Sequence, residues 1–374
     1  MALPLDELVD AGVSIWLDDL SRVRLAEGGL DRLIRDRHVT GVTTNPTIFA
    51  KAISGSHAYS AQIEQLALRQ VGIDTALREL TATDVRWAAD VLRPTFDATD
   101  GLDGRVSIEV DARLAHDIDR TIAEARALWW LVDRPNMFVK IPATEKGLPA
   151  ISACLAEGIS INVTLIFSLT RYAEVVEAFL DGLERARAQG LDLSKIASVA
   201  SLFVSRIDTE IDRRLDEIDS PDSAALRGMA GIANARLAYR HHEYSRETDR
   251  WKALEQAGAR PQRPLWASTG VKDLTYSDTR YVVDLVGPGV VNTMPEATLD
   301  AVADHAAVPS DSIHGTYGGA EEVLAELGAI GIDYDDVMQL LEVEGVEKFD
   351  ASWVAVGDEV QRSLGKASPT ALGV

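Results

Sequence analysis

The sequence predicts an α/β protein folded as a single (β/α)8 TIM barrel with additional surface helices. Three observations carry the prediction. Short apolar, β-branched runs alternate with amphipathic segments of helix length, the pattern of a parallel sheet wrapped by helices. There are eight such runs, which suggests closure into a barrel. Polar and charged residues recur at or near the ends of those runs, where a barrel of this kind gathers its reacting groups. The length, 374 residues, suits such a barrel with insertions.

The first run, Ser14–Leu17, ends at Asp18, and the second, Gly41–Thr44, ends at Asn45-Pro46, a pair that starts turns whatever the function. The third, Val106–Val110, holds Glu109 and the fourth, Met137–Ile141, holds Lys140. The fifth, Ser160–Phe167, contains Asn162 and Thr164 and precedes Arg171–Arg187, whose apolar residues fall at helical spacing. The sixth, Ala197–Val204, contains Ser201 and Phe203 and leads to Arg206. The stretch from Asp208 to Arg263 is too long for one crossover and is charge-rich, so two or more surface helices are expected there. Leu265–Ser268 is the seventh run and Val290–Thr293 the eighth. A helical tail is expected over about residues 317–366, with Ala320–Leu327 and Val337–Glu344 separated by Gly328-Ala329-Ile330-Gly331. No repeat, low-complexity tract or interdomain linker stands out, so residues 1–374 read as one domain.

Composition narrows the function. With 46% hydrophobic and 26% charged residues, the chain can bury a substantial core. A formal charge of −22 argues against nucleic-acid or anionic-membrane partners, so any phosphate must meet a local cationic pocket. Cys154 is the single cysteine, which rules out an intrachain disulfide and a cysteine-based zinc site and fits a reducing compartment. The segment Met1-Ala2-Leu3-Pro4-Leu5-Asp6-Glu7 lacks the features of a signal peptide, and the reading is cytoplasmic. His38, His57, His116, His241, His242, His305 and His314 are scattered without metal-ligand spacing, and neither GxGxxG nor GxxxxGK[ST] occurs, so no metal and no cofactor is expected. Trp129-Trp130 reads as helix packing rather than a ligand platform.

Lys140 is the most informative residue. An ammonium among inward-facing strand residues is costly to desolvate, and burial disfavours the charged form. A neutral amine can attack a ketone, so Lys140 is a candidate Schiff-base nucleophile; the alternative is a structural ion pair with Asp18 or Glu109. Such chemistry also needs proton traffic, which Asp18 and Glu109, from different strands, could divide. The bland reading of Asp18-Asp19 is helix capping, and strand alternation could point Glu109 outward, together with Ser107. Arg206 is placed to meet a phosphate or, equally, a surface ion pair.

Taken together, Gly41-Val42-Thr43-Thr44-Asn45-Pro46, Glu109-Val110-Asp111-Ala112-Arg113, Val139-Lys140-Ile141-Pro142-Ala143-Thr144 and the stretch Gly158 to Ser168 closely resemble the transaldolase family in content and order. With Ser201-Leu202-Phe203-Val204-Ser205-Arg206-Ile207-Asp208 and Leu265-Trp266-Ala267-Ser268, the resemblance covers most of the chain. It implies a dihydroxyacetone unit transferred from sedoheptulose 7-phosphate to glyceraldehyde 3-phosphate, giving erythrose 4-phosphate and fructose 6-phosphate. Lys140 would form the Schiff base, Asp18 would take the hydroxyl proton, and Glu109 with Thr164 would position a water. Asn45 and Asn162 would bind the dihydroxyacetone carbons, while Ser201, Phe203, Arg206 and Ser268 would complete the substrate site.

One departure is plain. Many members of that family carry an arginine two positions past the seventh-strand serine, where this chain has Gly270; Lys272, two residues on, could supply the charge. The alternatives are fructose 6-phosphate aldolase, which usually has glutamine and tyrosine where this chain has Glu109 and Phe203, and a non-catalytic sugar-phosphate-binding barrel. The partners implied are sugar phosphates, and a monomer and a homodimer are both compatible with the sequence.

Overall fold

A computed structural model describes residues 3–367 of the chain; Met1 and Ala2, at the head of the segment read above, lie outside them. Eight parallel strands close in chain order into a barrel: β1 (Ser14–Leu17), β2 (Val39–Val42), β3 (Arg105–Glu109), β4 (Met137–Pro142), β5 (Ile161–Ile166), β6 (Ser198–Phe203), β7 (Arg263–Ala267) and β8 (Val291–Met294). Helices on the outside connect them, and their apolar faces pack on the outer faces of the strands.

Two strands begin two residues earlier than the sequence predicts. In β2 the chain turns at His38, which is left-handed with φ 54°, so pairing starts at Val39. Gly41 is then mid-strand because the Trp16 indole lies against it; a Cβ there would sit 2.5 Å from the ring. In β7 the first two residues are Arg263 and Pro264, a pair that reads as a loop. Arg263 is tolerated because its guanidinium enters a polar network on the barrel floor. It lies 3.1 Å from Asp103 Oδ1 and donates to Ser14 Oγ at 2.5 Å and to the Gly289 carbonyl at 2.9 Å. Ser14 Oγ and Trp16 Nε1 in turn donate to the Asp103 carboxylate at 2.6 and 3.0 Å. The Asp103 and Arg263 charges are therefore hydrogen-bonded to each other and to their neighbours, while Arg105 beside them donates to the Gly101 carbonyl and keeps a buried Nη1 without a partner. Above it, Trp16, Phe138, Val199, Leu265 and Val291 fill the interior.

The stretch after β6 forms the helices Ser205–Ile218, Pro221–Leu226, Ala230–Glu247 and Asp249–Glu255. Ala230–Glu247 buries a small-residue face, and its Asn234 donates to the Phe167 carbonyl at 2.8 Å. In the tail, Tyr317–Ala329 is followed by a long helix, Tyr334–Ala367, which packs on the helix Pro46–Ile53 and on the turn Ala112–Leu114, both at the C-terminal end of the barrel. Trp129 packs partly buried against the core, whereas Trp130 is exposed, so only the first of that pair serves packing. Among the described residues no helix is long and apolar enough to cross a membrane.

Candidate active site

Three neighbouring strands bring a row of polar side chains to the inside of the barrel. In register, Glu109 on β3 pairs with Lys140 on β4, and Lys140 with Asn162 on β5. Lys140 Nζ lies 2.9 Å from Glu109 Oε1 and donates to the Thr44 carbonyl at 2.9 Å. Glu109 therefore points inward, as does Ser107, whose Oγ accepts from Asn162 Nδ2 at 3.0 Å. The ion pair and the nucleophile reading of Lys140 are thus not exclusive. Lys140 is paired, yet it also lines a cleft of about 540 Å³ at the C-terminal end of the strands.

The pair is electrostatically unusual. Lys140 and Glu109 are only 4% and 7% exposed. Apart from the Lys140 ammonium, neither Glu109 carboxylate oxygen has a hydrogen-bond partner among the described residues. Burial pushes the Glu109 carboxyl up to about 7, and the Lys140 charge pulls it back only in part. A group titrating there can take or give a proton at neutral pH.

Asp18 follows β1 at the floor of the cleft. Its Oδ1 accepts from Thr43 Oγ1 at 2.8 Å, and Thr43 Oγ1 meets Thr293 Oγ1 at 2.6 Å. Burial raises its pKa, opposed by the Lys140 charge and the Thr43 hydrogen bond. It caps no helix: Ser21 caps Arg22–Ala26, and Asp19 instead binds Arg24, which also holds Glu296. Asn45, just past β2, accepts from Ile48 N at 3.0 Å as the cap of Pro46–Ile53, and its side chain still borders the cleft. The turn and the site are built by one residue.

On the opposite wall, Ser201 Oγ donates to Asn162 Oδ1 at 2.7 Å, and Phe203 stacks against Phe167 with ring centroids 5.4 Å apart. The Arg206 guanidinium lies 5.1 Å from the Phe203 ring centroid and makes no ion pair among the described residues. Burial lowers its pKa, opposed by Asp18 and Glu344, and its Nη1 is buried without a partner. That is not a surface ion pair; it is a cation that lines the cleft without a counter-ion among the described residues. Ser268, past β7, adopts the left-handed conformation with φ 54°, and its Oγ lies 2.9 Å from Ser205 Oγ. Lys272 borders the same side of the cleft, and its Nζ is 4.0 Å from where a Cβ on Gly270 would sit.

Asp18, Asn45, Lys140, Ser201, Phe203, Arg206 and Ser268 thus share one cleft, while Glu109, Asn162 and Thr164 lie below its surface. Thr164 shares the inward face of β5 with Asn162, and its Oγ1 is buried without a partner. The sequence reading missed Thr43, Thr293, Lys51 and Phe349, which also line the cleft. Lys51 was detectable, since it lies on the helix that Asn45 starts at the rim. Phe349 comes from the C-terminal helix, far away in sequence.

Over residues 15–360 the sequence matches the family described as transaldolase/fructose-6-phosphate aldolase. It is similar to the transaldolase of Acidothermus cellulolyticus, 63% identical over 367 residues that cover 98% of each chain. The transaldolase of Thermobifida fusca is 60% identical over 364 residues, 97% of this chain and 99% of the relative. That of Mycobacterium bovis is 59% identical over 359 residues, 96% of each.

Proposed function

The chain belongs to the transaldolase/fructose-6-phosphate aldolase family, and on that premise we propose that it acts as a transaldolase through a Schiff base on Lys140. The observation that carries the reading is the Lys140–Glu109 pair at 2.9 Å, opening into a cleft whose far wall holds an unpaired arginine. For the amine to react, the Lys140 ammonium must give up a proton, and Glu109, 2.9 Å away, is the group placed to take it. The amine attacks the ketone carbon of a ketose phosphate, and Glu109 returns the proton as the carbinolamine loses water, with Thr164 holding that water.

Asp18 then accepts the proton of the substrate hydroxyl as the carbon–carbon bond breaks. The aldose phosphate leaves, and a three-carbon enamine remains on Lys140. An acceptor aldehyde reverses the steps. Asn45 and Asn162 bind the dihydroxyacetone hydroxyls; each has an amide hydrogen free after the bonds described above. Ser201 and Phe203 line the sugar, and Arg206 and Ser268 hold the phosphate. Sedoheptulose 7-phosphate and fructose 6-phosphate fit as donors, with erythrose 4-phosphate and glyceraldehyde 3-phosphate as acceptors. The acidic surface supports action on free sugar phosphates in the cytoplasm, away from nucleic acid and membrane.

The test is release of glyceraldehyde 3-phosphate from fructose 6-phosphate in buffer with a chelator. Sustained release that requires erythrose 4-phosphate supports transfer. Sustained release without acceptor would make the protein an aldolase, and no release at all would leave a sugar-phosphate-binding barrel.

A further inference from the structure

A transferase that works through a covalent three-carbon adduct must keep water from that adduct until an acceptor arrives. The C-terminal helix Tyr334–Ala367 supplies an aromatic side chain placed to do so. Gly345 lets the helix settle close to the barrel rim: a Cβ there would lie 3.1 Å from Leu165 Cδ2 and 3.5 Å from Phe167 Cε2. Leu165 is turned into this position by a left-handed backbone, φ 58°, at an irregularity in the β5–β6 pairing. One helical turn after Gly345, on the same face, comes Phe349. Its ring centroid is 5.9 Å from Lys140 Nζ, it is 5% exposed, and it lines the cleft. Three residues on, just under a full turn, Ser352 Oγ meets Thr47 Oγ1 at 2.8 Å, tying the helix to the opposite rim.

Resting on the transaldolase reading, we propose that Phe349 is a specificity-determining residue, a ceiling over Lys140 that favours transfer over hydrolysis of the three-carbon adduct. The enamine takes a proton on carbon and becomes an iminium ion, water adds to the iminium carbon, and the carbon–nitrogen bond breaks. Dihydroxyacetone leaves carrying the oxygen of that water, and the lysine amine is restored. A ring over the nitrogen both occupies the approach of water and faces the iminium charge with its π-cloud.

The experiment compares wild type, Phe349→Ala and Phe349→Leu with fructose 6-phosphate alone. Three readouts are followed: free dihydroxyacetone over time, acceptor-dependent transfer to erythrose 4-phosphate, and borohydride trapping of the lysine adduct. In wild type a single equivalent of glyceraldehyde 3-phosphate should appear and dihydroxyacetone should follow slowly. Phe349→Ala should still be trapped by borohydride, while its ratio of hydrolysis to transfer rises about tenfold, the effect of losing one desolvated cation–π contact. Phe349→Leu, which keeps the volume without the ring, should rise less. If hydrolysis and transfer fall in parallel in Phe349→Ala with their ratio unchanged, and Phe349→Leu behaves likewise, Phe349 is packing alone and the proposal is wrong. Failure of wild type itself to give a trapped adduct would overturn the transaldolase reading and this inference with it, and is separately visible because it needs no variant.

Discussion

The two ends of the barrel both bury charge, and they treat it in opposite ways. On the floor, Arg263, Asp103, Ser14 and Trp16 form a closed network in which the carboxylate accepts from three side chains. At the mouth, Glu109 has the Lys140 ammonium 2.9 Å away and no other partner among the described residues, and Thr164 Oγ1 and Arg206 Nη1 are buried without partners. Unsatisfied buried groups are costly, so such a cluster persists only where something else selects for it. The difference teaches that burial alone does not mark a site in this molecule. Incompletely satisfied buried groups gathered around a cleft do; the floor also holds one, Arg105 Nη1, but that guanidinium lies against the Phe96 and Phe138 rings and not in the cleft.

The comparison breaks first at Lys140. Lys140→Ala should abolish the adduct trapped with fructose 6-phosphate and borohydride, read by intact mass, and reduce transfer to background, because the other amines lining the cleft among the described residues, Lys51 and Lys272, are exposed. A surviving adduct would place the nucleophile elsewhere. Glu109→Gln keeps the shape and removes the proton acceptor, so transfer should fall about a hundred- to ten-thousandfold, the ordinary range for general acid–base catalysis.

The acid limb of the pH profile sharpens the same point. With Glu109 near 7 in the folded protein, wild-type kcat/KM should fall as pH drops below about 7, and Glu109→Gln should lose that limb. A limb that persists in the variant would assign it to another group. The sign for stability is opposite. The folded chain keeps this proton between the ordinary value of 4.5 and about 7, where the unfolded chain has shed it, so the contribution of Glu109 to stability declines as pH rises through that window. Thermal unfolding across pH 5 to 7.5 should show it.

The floor should answer differently. Asp103→Ala leaves Arg263 buried without its carboxylate and should cost about 3–5 kcal/mol of stability, while transfer per folded molecule stays unchanged. Denaturant unfolding together with the coupled assay separates the two quantities. A comparable loss of activity at constant stability would show that the two ends are coupled.

How much of this contrast was visible in the sequence depends on distance along the chain. Lys140 and Glu109 stand out because a charge inside a β-branched run breaks a local pattern. Their partnership follows from adjacent strands, the shortest kind of long-range contact in this fold. The floor network is hidden because Arg263-Pro264 looks like a loop, and only the pairing of β7 with β8 and of β8 with β1 explains it. Asn45 was legible as a turn residue and as a site residue, and the structure gives it both positions through one capped helix. Phe349 could not be read locally, since its helix is ordinary until Gly345 seats it on Leu165, and the left-handed turn at Leu165 is itself a tertiary outcome. Side chains whose meaning is set by the strand that carries them were readable; those whose meaning is set by what folds over them were not.

The smallest effect tests the rim. Gly270 removes a side chain from the wall that holds Arg206 and Ser268, and the Lys272 amine reaches back to within 4.0 Å of the vacant Cβ position. Lys272 is exposed, and no carboxylate pairs with it among the described residues, so its charge is free for a phosphate but screened by solvent. Lys272→Ala should therefore raise KM for sugar phosphates about two- to fivefold with kcat unchanged, the scale of an exposed ionic contact. The same variant should lose part of the salt dependence of KM. Arg206→Ala, which removes the half-buried cation, should raise KM further and lower discrimination between phosphorylated and unphosphorylated ketoses. Equal KM in wild type and Lys272→Ala at low salt would mean that Arg206 and Ser268 hold the phosphate without a second cation.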